Sequence, residues 1–188
     1  MKKLVLLYGK SASGKSAIKK AIMKLRPEYN EVVTSCTRYA REGEKDGVDY
    51  FFYTEKQMAD KICKGEMAEC VVFNDWVYGT EYEKIIDDKI NVGAWNPEGV
   101  ETLNDDKNFE CLNIFIDAPG KTRLIRSLNR EENPDINEII RRYQADEKDF
   151  RYIEIENYIT INNNGSKTIQ EMAEEAINYI DRYLGRIV

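Results

Sequence analysis

Residues 9–16 read Gly9-Lys10-Ser11-Ala12-Ser13-Gly14-Lys15-Ser16 and fill every fixed position of the phosphate-binding pattern G-x-x-x-x-G-K-[ST]. Each residue type has a physical job there. Gly9 and Gly14 let the backbone curl so that successive N–H groups face phosphate oxygens. The N-terminus of a following helix adds partial positive charge. Lys15 brings a full charge to the outer phosphates, and the Ser16 hydroxyl is a hard oxygen suited to Mg²⁺. Ser11, Ala12, Ser13, Gly14, Lys15, Ser16 and Ala17 are therefore the candidate nucleoside triphosphate-binding residues, with Ser16 as the candidate metal ligand. The chain has no histidine at all, which removes His-dependent triads and general bases. Phosphoryl transfer needs none of these, because it runs on positioning and charge neutralisation by Lys, Arg, carboxylates and metal.

The motif requires a strand before it and a helix after it. Leu4-Val5-Leu6-Leu7-Tyr8 is a short apolar run of buried-strand type, and residues 16–26 are rich in Ala, Ile, Lys and Leu. Downstream, strand and helix patterns alternate: strands near 31–33, 90–95, 111–116 and 158–162; helices near 81–89, 96–103, 121–129, 135–151 and through about 184. Such alternation predicts an α/β fold with a parallel sheet and helices on both faces. Residues 34–80 depart from it. There Phe51-Phe52, Met67 to Phe73 and Trp76 to Tyr78 read as strands, with Asn74-Asp75 as a tight turn. They surround one helix opened by the capping box Thr54-Glu55-Lys56-Gln57. This stretch reads as an inserted small mixed α/β subdomain.

The 188 residues amount to one domain's worth of chain with a real apolar core. A net charge of -6 argues against nucleic acid or an anionic membrane as the main partner. No apolar run approaches the roughly 20 residues that span a bilayer, and the start is too short for a signal peptide. The expected location is the cytoplasm. The four cysteines include no C-x-x-C pair, so neither a structural zinc site nor a disulfide framework is expected. Nothing in the sequence speaks to oligomeric state.

Three further motifs carry a resemblance. Ser35-Cys36-Thr37-Arg38, Arg41-Glu42-Gly43-Glu44 and Asp46-Gly47-Val48-Asp49-Tyr50-Phe51-Phe52, followed by Glu69 and Tyr78-Gly79-Thr80, resemble the nucleoside-monophosphate pocket of the guanylate kinases. Leu124 to Arg142 is similar to that family's lid, and Tyr158 to Asn162 to its last strand. The resemblance implies a P-loop NTPase-type core (1–33, 81–125, 143–188), a monophosphate-binding subdomain (34–80) and a helical lid (about 126–142). It also implies ATP with Mg²⁺ as phosphoryl donor and GMP or dGMP as acceptor. By the same resemblance Thr34, Arg38, Arg41, Tyr50, Glu69, Tyr78, Gly79, Thr80 and Asn96 bind the acceptor. Arg126, Arg130 and one of the adjacent Arg141 and Arg142, with Arg141 carried as the candidate, join Lys15 in catalysis. Asn162 touches the adenine of ATP.

Elementary chemistry is consistent with those assignments. A monophosphate carries about two negative charges near neutrality. Arg38 and Arg41 can grip it with fork geometry, and the Tyr50 and Tyr78 hydroxyls can donate to it. Guanine offers two donors, N1–H and the 2-amino group, which a carboxylate such as Glu69 accepts, whereas adenine offers an N1 lone pair that repels it. Thr80 can donate to guanine O6 or N7. Lid arginines beside Glu131, Glu132 and Glu138 read either as phosphate ligands or as exposed ion pairs.

One segment departs from the family pattern. Ala94 and Asn96 stand where aspartates are expected. Asn96 can still accept through its amide oxygen, without charge, and Glu98 or Asp117 are candidates to supply the missing carboxylate. Two other readings therefore stand beside the GMP kinase. One is a catalytically weak guanylate kinase-like binding module. The other is a kinase with relaxed base specificity or another small phosphate acceptor.

Overall fold

The computed structural model describes residues 1–73, 75–130, 132–151 and 155–185. Asn74 of the expected turn and Glu131 of the lid lie outside the described residues. A five-stranded sheet forms the core. Its strands are β1 (Lys2–Tyr8), β2 (Asn30–Glu31), β7 (Ile90–Ala94), β8 (Phe109–Asp117) and β9 (Tyr158–Asn162), in the order β2-β7-β1-β8-β9, every pair parallel. The central strand β1 is apolar from Leu4 to Tyr8, the stretch covered on both faces. Val5 and Leu7 pack on α1 (Lys15–Leu25) and α6 (Ile169–Tyr183), through Ile18, Ile22, Ala173, Ala176 and Ile180. Leu4 and Leu6 pack on α3 (Pro97–Asp105), through Val100 and Leu103. All of these apolar side chains are fully buried.

A second, four-stranded sheet lies between β2 and β7 in the chain. It comprises β3 (Ser35–Cys36), β4 (Phe51–Phe52), β5 (Met67–Phe73) and β6 (Trp76–Glu81), ordered β4-β3-β6-β5. The expected capping box opens α2 (Glu55–Cys63), with Thr54 and Gln57 exchanging hydrogen bonds. In the hairpin turn Asp75 has a φ of 64°. Two further helices, α4 (Gly120–Leu128) and α5 (Ile136–Asp149), face the end of β1.

The helix expected over residues 81–89 is absent; only a single 3-10 turn forms at Tyr82–Lys84. The cause is Asn91, a fully buried amide. Its oxygen accepts from Ile86 N–H, and its nitrogen donates to the carbonyls of Ile86, Lys89 and Lys3. Those bonds take backbone groups that a helix would have used.

Candidate active site

The phosphate loop leaves β1 at Tyr8 and enters α1 with Gly14 as N-cap, at φ 107°. Only glycine adopts that conformation without strain, and an added Cβ would strike the Asn163 amide. The Lys15 ammonium folds back to donate to the carbonyls of Gly9 (2.6 Å) and Lys10 (3.1 Å). Burial lowers its pKa to about 8, with Asp146 opposing the shift and Arg123 and Arg130 reinforcing it. The loop is braced from two helices. From α4, Arg126 approaches the Ala12 and Ser13 carbonyls (3.5 Å each) and donates to Asn163 Oδ1 (2.9 Å). Asn163 in turn donates to Ser13 O (2.7 Å). From α5, the Asp146 carboxylate accepts from Ser11 N–H (2.7 Å) and the Ser11 hydroxyl (3.2 Å). Arg123, itself buried, ties Asp146 (3.4 Å) and Glu147 (2.6 Å) together, and Glu147 reaches Lys10 (2.8 Å). The Ser16 side chain is exposed on the cleft wall.

Facing the loop across the same cleft, of about 550 Å³, lies a cluster of arginines around one carboxylate. Glu44 takes both arms of Arg38 (2.6 and 2.9 Å) and the Arg41 N–H (2.9 Å). The guanidiniums of Arg41 and Arg130 stand 3.9 Å away. Burial opposes the Glu44 charge, but Arg38 and the Arg41 N–H outweigh it and hold the carboxyl below its usual range. Burial together with Arg38, Arg142 and Arg130 lowers the Arg41 pKa to about 10. Tyr50 lies under the Arg38 guanidinium (4.8 Å) and edge-on to Tyr78 (6.0 Å). Three guanidiniums and two phenols thus form one seat suited to an anion. On α5, Arg141 and Arg142 both hydrogen-bond Glu138. Arg142 is the more enclosed, and its charge is felt at Arg41.

A third group closes the cleft. Trp95 Nε1–H donates to the Thr80 hydroxyl (2.9 Å), which donates to Glu69 Oε1 (2.7 Å). Glu69 Oε2 has no partner among the described residues, although Glu69 is 4% exposed. Burial raises its pKa to about 7; Thr80 and Trp95 oppose the rise and Glu81 adds to it. Beside it, Asn96 is the N-cap of α3, its Oδ1 accepting from Gly99 N–H (2.8 Å).

The phosphate-loop motif, an arginine cluster and a buried carboxylate with one unpartnered oxygen line one cleft. A family model described as guanylate kinase matches residues 1–179. The chain belongs to the guanylate kinase family. A guanylate kinase of Caldanaerobacter subterraneus subsp. tengcongensis is 26% identical over 175 residues, covering 90% of this chain and 84% of that one. A guanylate kinase of Legionella pneumophila (strain Lens) is 28% identical over 178 residues, covering 90% and 82%. The fold matches the crystal structure of guanylate kinase from Anaplasma phagocytophilum with a TM-score of 0.73 at 19% identity, covering 96% of this chain and 85% of that one.

Within this guanylate kinase family fold, most residues singled out from the sequence line the cleft. They include Ser11, Ala12, Gly14, Lys15, Ser16, Thr34, Arg41, Tyr50, Glu69, Tyr78, Asn96, Arg126, Arg130, Arg141 and Arg142. Ser13 and Arg38 lie buried behind that surface, and Ala17 is exposed at the start of α1. Gly79 is where β5 and β6 meet closely, an added Cβ lying 3.0 Å from Glu69 O. Three residues sit differently from expectation. Thr80 is fully buried, and its one proton goes to Glu69, so its influence on a base passes through that carboxylate. The Asn96 oxygen, expected to face the base, is used by the α3 cap. Asn162 is exposed at the end of β9, and it is the next residue, Asn163, that touches the phosphate loop. Glu98 and Asp117 are exposed and do not line the cleft.

Sequence reading missed Asp146, Arg123, Asn163 and Trp95. Asp146 stands in a run of charged helix residues that carries no periodic mark. Asn163 and Trp95 each adjoin a residue that was singled out.

Proposed function

We propose the following division of labour for the ATP:GMP phosphotransferase that family membership makes this chain. ATP lies with its phosphates on the Gly9–Ser16 loop, where Lys15 exchanges its loop carbonyls for the outer phosphate oxygens. Arg126, fixed by Asn163, sits beside the same phosphates. The GMP phosphate takes the anion seat of Arg38, Arg41, Tyr50 and Tyr78, and its guanine N1–H meets Glu69 Oε2. Thr34 and Gly79 shape that pocket.

The reaction is in-line transfer. An oxygen of the GMP phosphate forms a bond to the γ-phosphorus as the bond to the β–γ bridging oxygen breaks, and ADP leaves. The attacking phosphate is already ionised near neutrality, its second pKa being about 6, so no general base is required. That suits a chain without histidine. Arg130 and Arg142 stabilise charge on the transferring group as α4 and α5 close; we put Arg142 ahead of Arg141 because it is the more enclosed of the two. Among the described residues no cluster of three or more carboxylates, histidines or cysteines could hold a metal by itself. Mg²⁺ would enter as ATP's companion, and the Ser16 hydroxyl, on an exposed residue of the cleft wall, is the hard oxygen that would hold it. When bound it neutralises β- and γ-phosphate charge.

The observation that carries this reading is the anion seat opposite the phosphate loop, the three guanidiniums of Arg38, Arg41 and Arg130 drawn around Glu44. Residues 34–80 and about 126–142 act as the moving parts of the single domain. Its substrates are cytoplasmic nucleotides, and we place the chain with them, without nucleic acid or membrane partners. Among the described residues no helix is long and apolar enough to cross a membrane. The test is Lys15→Ala. ADP formation is lost while GMP affinity, read by calorimetry, stays within a few-fold. Equal loss of both would overturn the separation of the two sites.

A further inference from the structure

Asn96 does two things at once. Its carboxamide oxygen caps α3 by accepting from Gly99 N–H at 2.8 Å. That bond fixes the amide orientation, since turning the amide over would set its NH₂ against the Gly99 N–H, donor against donor. The end left over is therefore Nδ2–H₂, a donor, and no hydrogen bond from it to the described residues is formed. An aspartate in this place would cap with one oxygen and offer the other as an acceptor. The single change from carboxylate to amide thus reverses the polarity of the group presented to a base.

Its position makes the reversal matter. A Cβ built on Gly99 would lie 3.0 Å from Asn96 Oδ1 and 3.3 Å from Glu69 Oε2. Both side chains therefore converge beside Gly99, and both line the cleft. Glu69 Oε2 is buried and unpartnered. The relay from Trp95 through Thr80 occupies the other Glu69 oxygen, leaving Oε2 as the one free to accept. The pocket thus presents one acceptor with one donor beside it.

A purine edge that fits must offer N1–H to Glu69, which requires a 6-oxopurine and excludes adenine. In the orientation that turns O6 away from Asn96, the 2-position faces that amide and must not offer it a donor. Guanine does offer one, in its 2-amino group. Hypoxanthine has only C–H there, and xanthine has a carbonyl oxygen that accepts. We propose that Asn96 opens the acceptor site to 6-oxopurine nucleoside monophosphates lacking the 2-amino group, with IMP and XMP bound at least as well as GMP. This rests on the monophosphate site proposed above and specifies its substrate class.

The test is equilibrium binding of GMP, IMP, XMP and AMP to the wild-type chain and to Asn96→Asp, which preserves a good N-cap. Wild type is expected to bind IMP and XMP as tightly as GMP or more tightly, with AMP weakest. Asn96→Asp is expected to shift the GMP:XMP affinity ratio toward GMP by about 10- to 100-fold, the effect of one mispaired buried donor. Wild type preferring GMP over IMP and XMP by tenfold or more, with that ratio unmoved in Asn96→Asp, would overturn the inference and leave the GMP site standing. Failure of all four nucleotides to bind would overturn the site itself, and the inference with it.

Discussion

Glu69 concentrates the residue-scale argument. Its ionised form accepts the N1–H of a 6-oxopurine with charge assistance, a proton on the free Oε2 turns that oxygen into a donor, and burial has pushed the pKa up to about 7. GMP affinity is therefore expected to fall as pH drops through 7. The GMP phosphate also gains a proton near its second pKa of about 6, so the readout is the affinity ratio between wild type and Glu69→Gln across pH 6–8. That ratio should rise with pH; a flat ratio would remove Glu69 from base reading. The effect on stability has the opposite sense. A carboxyl raised from the ordinary 4.5 contributes stability that is fully present below about 4.5 and is lost as pH rises through about 7, on the order of 3 kcal/mol. Denaturant melts of the unliganded protein should show that decline, and Glu69→Gln should flatten it. The residue types at this scale were legible in the sequence: Lys15, Arg38, Arg41 and Glu69 were named from spacing and resemblance. The direction in which Asn96 presents its amide was not, because it depends on a helix cap that exists only once α3 folds.

At the scale of elements, the phosphate loop is held by helices far away in sequence. Strand β1 and helix α1 could be read from apolar runs, and α3 and α5 from their caps. The bridge from α5 to the loop could not. Asp146 lies 135 residues from Ser11, and no local pattern encodes a pairing that tertiary packing alone creates. The false helix over 81–89 has the same origin, since the buried Asn91 side chain overrides local propensity there. Asp146 now opposes two effects. Its carboxylate occupies the Ser11 N–H that a phosphate would use, and it also pairs with the buried Arg123. Asp146→Ala should therefore tighten ATP a few-fold while reducing stability by about 1–3 kcal/mol, read by calorimetry and denaturant melts respectively. Loss of stability with unchanged ATP affinity would make Asp146 purely structural.

For the whole molecule, the two proposed nucleotide seats sit on different sheets, one at the end of β1 and the other on β3–β6. Arg130 of the proposed lid already approaches Glu44 across that gap, at 3.9 Å. Water in an open cleft competes as phosphoryl acceptor, so closure should require both nucleotides. Scattering should show a smaller radius of gyration with ATP analogue and GMP together than with either alone, and an unchanged radius would contradict the closing scheme. The parallel core was legible from alternating strand and helix patterns, and the second sheet from the break in that alternation. The strand order was not, because it is set by packing on both faces of β1. The most direct measurement is ADP release by the purified wild-type chain with ATP and Mg²⁺ against GMP, IMP, XMP and AMP. Turnover with the 6-oxopurine monophosphates and not with AMP is the predicted result; no ADP formed with any of the four would contradict the phosphotransferase account.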